Sequence, residues 1–154
     1  MNLYIKQQVF TIGDKFHVKD ESGQDRYFVQ RQLFSRSFEV YNMQGVLVAR
    51  VSQRLFRMLF DIQVGTQIAV SLQKRFTLFR EYYDLLGTDW ALEGEFLAHE
   101  YSLSDGLGQI IMTVSKEWMT WGDSYVLRVP DPRNELVGLC IVLAIDAVKR
   151  AQSN

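Results

Sequence analysis

The sequence predicts a mainly β fold, a closed antiparallel barrel of about twelve strands around a central, buried, hydrophobic C-terminal helix. Three observations predict it. A motif of an aromatic residue, any residue, then Val, Ile or Leu recurs six times, and the first five copies run into a turn carrying glycine. Near the C-terminus, the ten residues from Leu136 to Ile145 hold no polar side chain. A helix that is apolar on every side has to be enclosed.

In chain order, Phe16-His17-Val18 runs to Gly23, Phe38-Glu39-Val40 to Gly45, Phe60-Asp61-Ile62 to Gly65, Tyr83-Asp84-Leu85 to Gly87, and Tyr101-Ser102-Leu103 to Gly106. The sixth copy, Tyr125-Val126-Leu127, leads instead into Val129-Pro130-Asp131-Pro132. The starts lie 22, 22, 23, 18 and 24 residues apart. The spacing of two within a copy puts both apolar side chains on one strand face, and the glycines allow the positive φ of tight hairpins. Three copies share a lead-in five residues before the aromatic: Leu33-Phe34, Leu55-Phe56 and Leu78-Phe79. Each unit therefore reads as strand, turn, strand, and a propeller would need about twice this period per blade. In the sixth unit Asp131 suits the N-cap and Pro132 the first helical position, while Lys149 and Arg150 complement the negative end of the helix dipole. The expected layout is one domain over 1–154, with strand repeats over 3–130 and a core helix over 132–151. A large closed meander leaves an interior too wide for its own side chains to fill, and the apolar helix would fill it.

At about 1.5 Å rise per residue, the apolar run covers roughly half of the ~30 Å bilayer core, so no membrane span is expected. With 47% hydrophobic residues and two prolines in 154, disorder is not expected. Seventeen basic against eighteen acidic residues remove the electrostatic footprint of duplex binding, and no nucleic acid partner is expected. The first residues carry neither a basic n-region nor an apolar h-region, and the one cysteine, Cys140, lies in the apolar helix. The expectation is a cytoplasmic protein with a buried, unreactive thiol.

Catalytic signatures are sparse. His17 and His99 are the only histidines and lie in no metal-ligand spacing; no GxSxG is present. His99, inside a strand motif, reads as a packed structural residue. Gly106-Leu107-Gly108 precedes a β-like run and reads as a hairpin turn, not a phosphate cradle. Asp84, Asp89, Glu93, Glu95 and Glu100 read as solvated strand faces and turns, and Trp90, Trp118 and Trp121 as barrel wall or rim. No catalytic residue, cofactor or metal is expected. The cluster with a chemical use is basic: Arg50, Arg54, Arg57, Lys74, Arg75 and Arg80 lie on or beside successive repeat units. Arginine forks and lysine point charges suit phosphate groups.

The segment Asp89-Trp90, Glu93-Gly94, Phe96, His99-Glu100-Tyr101, Val114-Ser115-Lys116, Trp118, Trp121 to Tyr125 and Ile145-Asp146-Ala147 resembles the LURP-one-related family. The resemblance extends to Tyr4 through Gln7 and the Asp20 to Gly23 turn. That family is similar to the Tubby C-terminal domain and the phospholipid scramblases, and the resemblance implies a twelve-stranded barrel around a C-terminal helix. Tubby domains bind phosphoinositides and scramblases act on membrane lipids, an analogy at the level of fold. The scramblase calcium segment has no counterpart here, since only Asp131, Glu135 and Asp146 lie near the helix. The resulting expectation is a non-enzymatic binding module, peripheral to the cytoplasmic membrane face. It would recognise phosphoinositide or other anionic lipid headgroups, or a protein partner. The alternatives are a small enzyme with a site at the barrel mouth around His99, and a scramblase-like protein.

Overall fold

Every copy of the repeated motif lies on its own strand with both apolar members buried, from Phe16 and Val18 through Tyr125 and Leu127. The computed structural model describes residues 1–6, 15–32, 37–54, 57–76, 78–119 and 122–153. Its strands are β1 (Asn2–Lys6), β2 (Lys15–Lys19), β3 (Asp25–Arg31), β4 (Ser37–Asn42), β5 (Leu47–Gln53) and β6 (Leu59–Val64). They continue as β7 (Gln67–Phe76), β8 (Glu81–Leu86), β9 (Ala91–Glu95), β10 (Glu100–Ser104), β11 (Ile110–Met119) and β12 (Gly122–Arg128). The helix α1 spans Glu135–Ser153. All neighbouring strands are antiparallel and the sheet closes into a barrel, with β1 paired to β12 from Asn2↔Arg128 to Lys6↔Ser124. The sixth motif copy thus finds its partner at the other end of the sequence, not in a following strand.

The turns show why glycine recurs. Asp20, Asn42 and Asp105 each accept backbone N–H bonds through Oδ1 from the residues two and four positions on. Such side-chain-nucleated turns put the fourth residue at positive φ, where glycine carries no steric penalty. Those residues are Gly23, Gly45 and Gly108. The expected Gly106 is therefore corrected to Gly108. Gly106 lies one residue after Asp105 and donates its N–H to Asp89 Oδ2 at 3.1 Å.

The barrel has two unlike ends. One, the turn end, carries the hairpins β2–β3, β4–β5, β6–β7, β8–β9 and β10–β11 and the link from β12 to α1. The other, the loop end, carries the remaining connections, including a 3-10 turn over Phe96–Ala98 between β9 and β10. Asp131 caps a 3-10 turn over Pro132–Asn134 by accepting from the Arg133 N–H, and the α-helix proper starts at Glu135. Arg26 on β3 binds Glu135 through both guanidinium positions and fixes that start. From there α1 runs through the barrel to the loop end. Leu139 to Ile145 are fully buried, so the helix forms the centre of the core, and burial pushes the Cys140 thiol up to about 12.

Candidate functional site

The six basic residues lie on β5, β7 and the adjoining connections, and their side chains divide into groups. On the outer wall Arg50 faces Glu39 at 3.8 Å, Arg54 holds Asp61 with two bonds at 2.9 and 3.1 Å, and Arg75 bonds Asp84 at 2.7 Å. Lys74 shares the inward face of β7 with Val70 and Leu72. Its side chain is only 9% exposed and pairs with Glu81 at 3.3 Å in the barrel mouth. Arg57 is exposed in the β5–β6 connection, and the Arg80 guanidinium lies 5.8 Å from the Tyr82 ring. Five of the six gather at the loop end, and Arg50 lies further down the wall.

Charge is divided unequally between the two ends. Among the described residues, the connections at the loop end carry Arg54, Arg57 and Arg80 and no carboxylate. Those at the turn end carry Asp20, Glu21, Asp89, Asp105 and Asp131 against Arg133. An open cleft of about 350 Å³ at the turn end, lined by Asp20, Asp25 and Arg26, repeats the acidic bias.

Large apolar side chains accompany the arginines. Leu78 and Phe79, at the β7–β8 tip, are 91% and 95% exposed, and Phe76 is 76% exposed beside them. The next two connections around the rim add Leu97 and, at the end of β11, Trp118 at 78%. The Leu78-Phe79 lead-in thus has no role in the core; Leu33-Phe34 and Leu55-Phe56 lie outside the described residues. Trp90 packs against the core and Trp121 lies outside the described residues.

Beneath this rim lies a buried polar layer. Tyr125 donates to Asp146 of α1 and stacks on His99, with ring centroids 4.4 Å apart. Lys149 donates to the Leu97 carbonyl at 3.2 Å and lies 3.1 Å from His99 Nε2. An ammonium can only donate, so Nε2 accepts and Nδ1 carries the proton, 3.8 Å from Asp146 Oδ1. Burial, with the charges of Lys149 and Lys116, pushes His99 down to about 4 and keeps it neutral. His99 is not inside a strand, as its sequence context suggests; it closes the 3-10 turn in the left-handed region at φ 55. The hydroxyls of Tyr83 and Tyr101 are buried without partners among the described residues, and burial followed by nearby carboxylates raises both. Since Lys149 occupies the basic nitrogen of His99, the layer serves as a tie between helix end and barrel wall, not as a ready general base. The sequence signal for it was the change of motif aromatic from Phe in copies one to three to Tyr in copies four to six.

The other singled-out carboxylates are structural or exposed. Asp84 pairs with Arg75, Asp89 binds the Gly106 N–H, Glu100 accepts the Lys116 N–H, and Glu93 and Glu95 are exposed. His17 lies 3.5 Å from Asp25 on the outer wall. Among the described residues no group of three or more His, Cys, Asp or Glu could hold a metal ion. No described helix is long and apolar enough to cross a membrane.

The sequence matches the family model described as LURP-one-related over residues 1–146. The chain is similar to an uncharacterised protein, YxjI, of Bacillus subtilis (strain 168). The two are 28% identical over 152 residues, covering 96% of this chain and 93% of that protein. It is also similar in fold to a protein of Arabidopsis thaliana with an X-ray structure. That comparison gives a TM-score of 0.67 and 12% identity, covering 94% of this chain and 89% of the other.

Proposed function

From the premise that the chain belongs to the LURP-one-related family, we propose that it is a non-enzymatic binding module that docks its loop end on an anionic phospholipid surface. The observation that carries this reading is the polarity of the barrel. Among the described residues, the connections at one end carry three arginines and no carboxylate, while those at the other carry five carboxylates and one arginine. Near a negatively charged surface such a charge distribution orients the molecule with the loop end inward. Each basic residue close to the headgroups adds roughly 1 kcal/mol. Arg57 leads this contact from the exposed β5–β6 connection, with Arg80 beside the β7–β8 tip, whereas Arg50, Arg54 and Arg75 share their charge with wall carboxylates and Lys74 is turned into the mouth. Phosphoinositides, with more charge per headgroup, are the favoured anionic lipid.

The test is sedimentation with neutral vesicles and with vesicles containing phosphatidylglycerol or a phosphoinositide, at low and physiological salt. Binding to the anionic vesicles alone is expected, weakened by salt and by the Arg57→Glu/Arg80→Glu double substitution. Equal binding to both vesicle types, or none at low salt, would overturn the reading.

A further inference from the structure

We propose that the β7–β8 hairpin is the element that enters the bilayer, with Leu78 and Phe79 placed among the lipid acyl chains and Arg80 and the neighbouring Arg57 held at the level of the phosphates. This inference rests on the membrane-surface reading and names the contact through which it acts.

The argument begins with register. β7 stays paired with β6 only to Gln73, opposite Leu59, but with β8 to Phe76, opposite Glu81. The Lys74 N–H still reaches the Met58 carbonyl at 2.9 Å, so Arg75 and Phe76 of β7, with Glu81 and Tyr82 of β8 opposite them, form a short two-stranded arm beyond the β6 ladder. Two residues of strand reach roughly 7 Å. At the end of this arm the chain places Leu78 and Phe79, whose side chains touch so little of the protein that 91% and 95% of their surface faces solvent. Neither residue contributes to the core. An isolated exposed leucine is ordinary; two adjacent large apolar residues at a protruding tip, with Phe76 beneath them, form a patch that marks an interaction surface.

The surroundings of the tip indicate which partner fits. Arg75 and Arg80 flank it, and Arg57 is exposed on the neighbouring connection. Of the hairpin's two carboxylates, Asp84 pairs with Arg75 and lies further from the tip, while Glu81, opposite Phe76, pairs with Lys74 at 3.3 Å. An apolar point within a cationic collar complements a surface whose outer layer is anionic and whose interior is hydrocarbon. Leu97 in the β9–β10 connection and Trp118 near the end of β11 are exposed at the same end of the barrel. Trp at this position suits the headgroup boundary, where its ring is buried and its N–H stays near water.

Cys140 makes the test direct. It is the only cysteine, it is fully buried, and burial pushes its thiol up to about 12, so a thiol-reactive fluorophore labels an introduced surface cysteine selectively. The label is placed at the tip through Phe79→Cys and, as a control, at the turn end through Ile68→Cys. Each labelled protein is mixed with phosphatidylcholine vesicles containing phosphatidylglycerol and with phosphatidylcholine alone. The expected result is a blue-shifted emission at position 79, quenched by acyl-chain spin labels, on the anionic vesicles, and no change at position 68. The unlabelled Leu78→Ser/Phe79→Ser double variant should melt as the parent does and bind the same vesicles roughly tenfold more weakly or worse. Sedimentation with vesicles while position 79 stays in a water-like environment would overturn the tip assignment and leave the surface reading intact. A shift at position 79 that grows with protein concentration in the absence of lipid would overturn it in favour of contact between copies of the chain. Absence of sedimentation at any salt would remove the surface reading and this inference with it.

Discussion

His99 shows how one side chain ties chemistry to stability. Its ring is stacked on Tyr125, its Nε2 accepts from Lys149, and it remains neutral down to about pH 4 against an ordinary value of 6.5. Between those two values the unfolded chain binds a proton that the folded chain refuses, so the folded state loses stability as the pH falls through the window. The loss is on the order of 2 kcal/mol by pH 4.5. Asparagine tolerates the left-handed region better than other non-glycine residues and does not titrate. A His99→Asn variant should therefore be less stable than the parent at pH 7, and the gap should narrow as the pH falls to 4.5. Denaturant unfolding at several pH values measures this, and parallel profiles would show that the folded protein accepts the proton as readily as the unfolded chain. The burial of Asp146 was half legible in the sequence: three motif aromatics changed from Phe to Tyr and one carboxylate sat in the helix. The left-handed turn at His99 was not legible, because Phe96-Leu97-Ala98-His99 contains no turn-forming residue to announce it.

At the scale of elements, period-two alternation fixes which face of each strand is buried, which is why the six motif copies were readable. The turn chemistry was readable too, in the form Asp or Asn followed three residues later by Gly, although the fifth turn contains two glycines and the wrong one looked equivalent. The fate of the basic residues depended on register. Arg75 reaches Asp84 diagonally across β7–β8, Arg54 reaches Asp61 diagonally across β5–β6, and Arg50 sits opposite Glu39. Such cross-strand pairs are stabilising neighbours on one face, and each removes a charge that the linear sequence presents as free. Gly94 shows how β9 and β10 depend on close approach. It pairs with Tyr101 at φ +136, and a Cβ there would lie 2.4 Å from the Glu100 carbonyl oxygen and 2.6 Å from Tyr101 Cα. Backbone cannot yield as a flexible side chain can, so Gly94→Ala should destabilise the protein by roughly 3 kcal/mol. Because the strain falls on β9 and β10, the two strands joined through the turn that His99 closes, the packing of His99 on Tyr125 should change with it. A variant that melts within a degree of the parent would show that β9 bends away at no cost.

The whole molecule is a wall that closes only because its first and last strands pair, around a core that arrives last in the sequence. Most hairpins are local, yet Asn2 opposite Arg128 joins the two ends of the strand region, and α1 fills the interior only once that wall can surround it. Stability should therefore be cooperative, with no half-barrel persisting after the helix is lost. Ile141 tests this at the centre, being fully exposed to hydrocarbon neighbours and not at all to water. Ile141→Val removes one methyl group and should cost about 1 kcal/mol, leaving a single transition at lower temperature. Ile141→Asp places a charge where no polar partner lies, a penalty of several kcal/mol against a total of about 5 to 15. Expected outcomes are a folded, slightly destabilised valine variant and an aspartate variant without a cooperative melt or dispersed amide spectrum. If the aspartate variant keeps its strand signal while losing only helix, the barrel holds itself closed and α1 is an occupant of it. The observed geometry argues the opposite: Lys149, Asp146 and Glu135 bind barrel groups at both ends of α1, so the helix is fastened to the wall at each end and the two should unfold together.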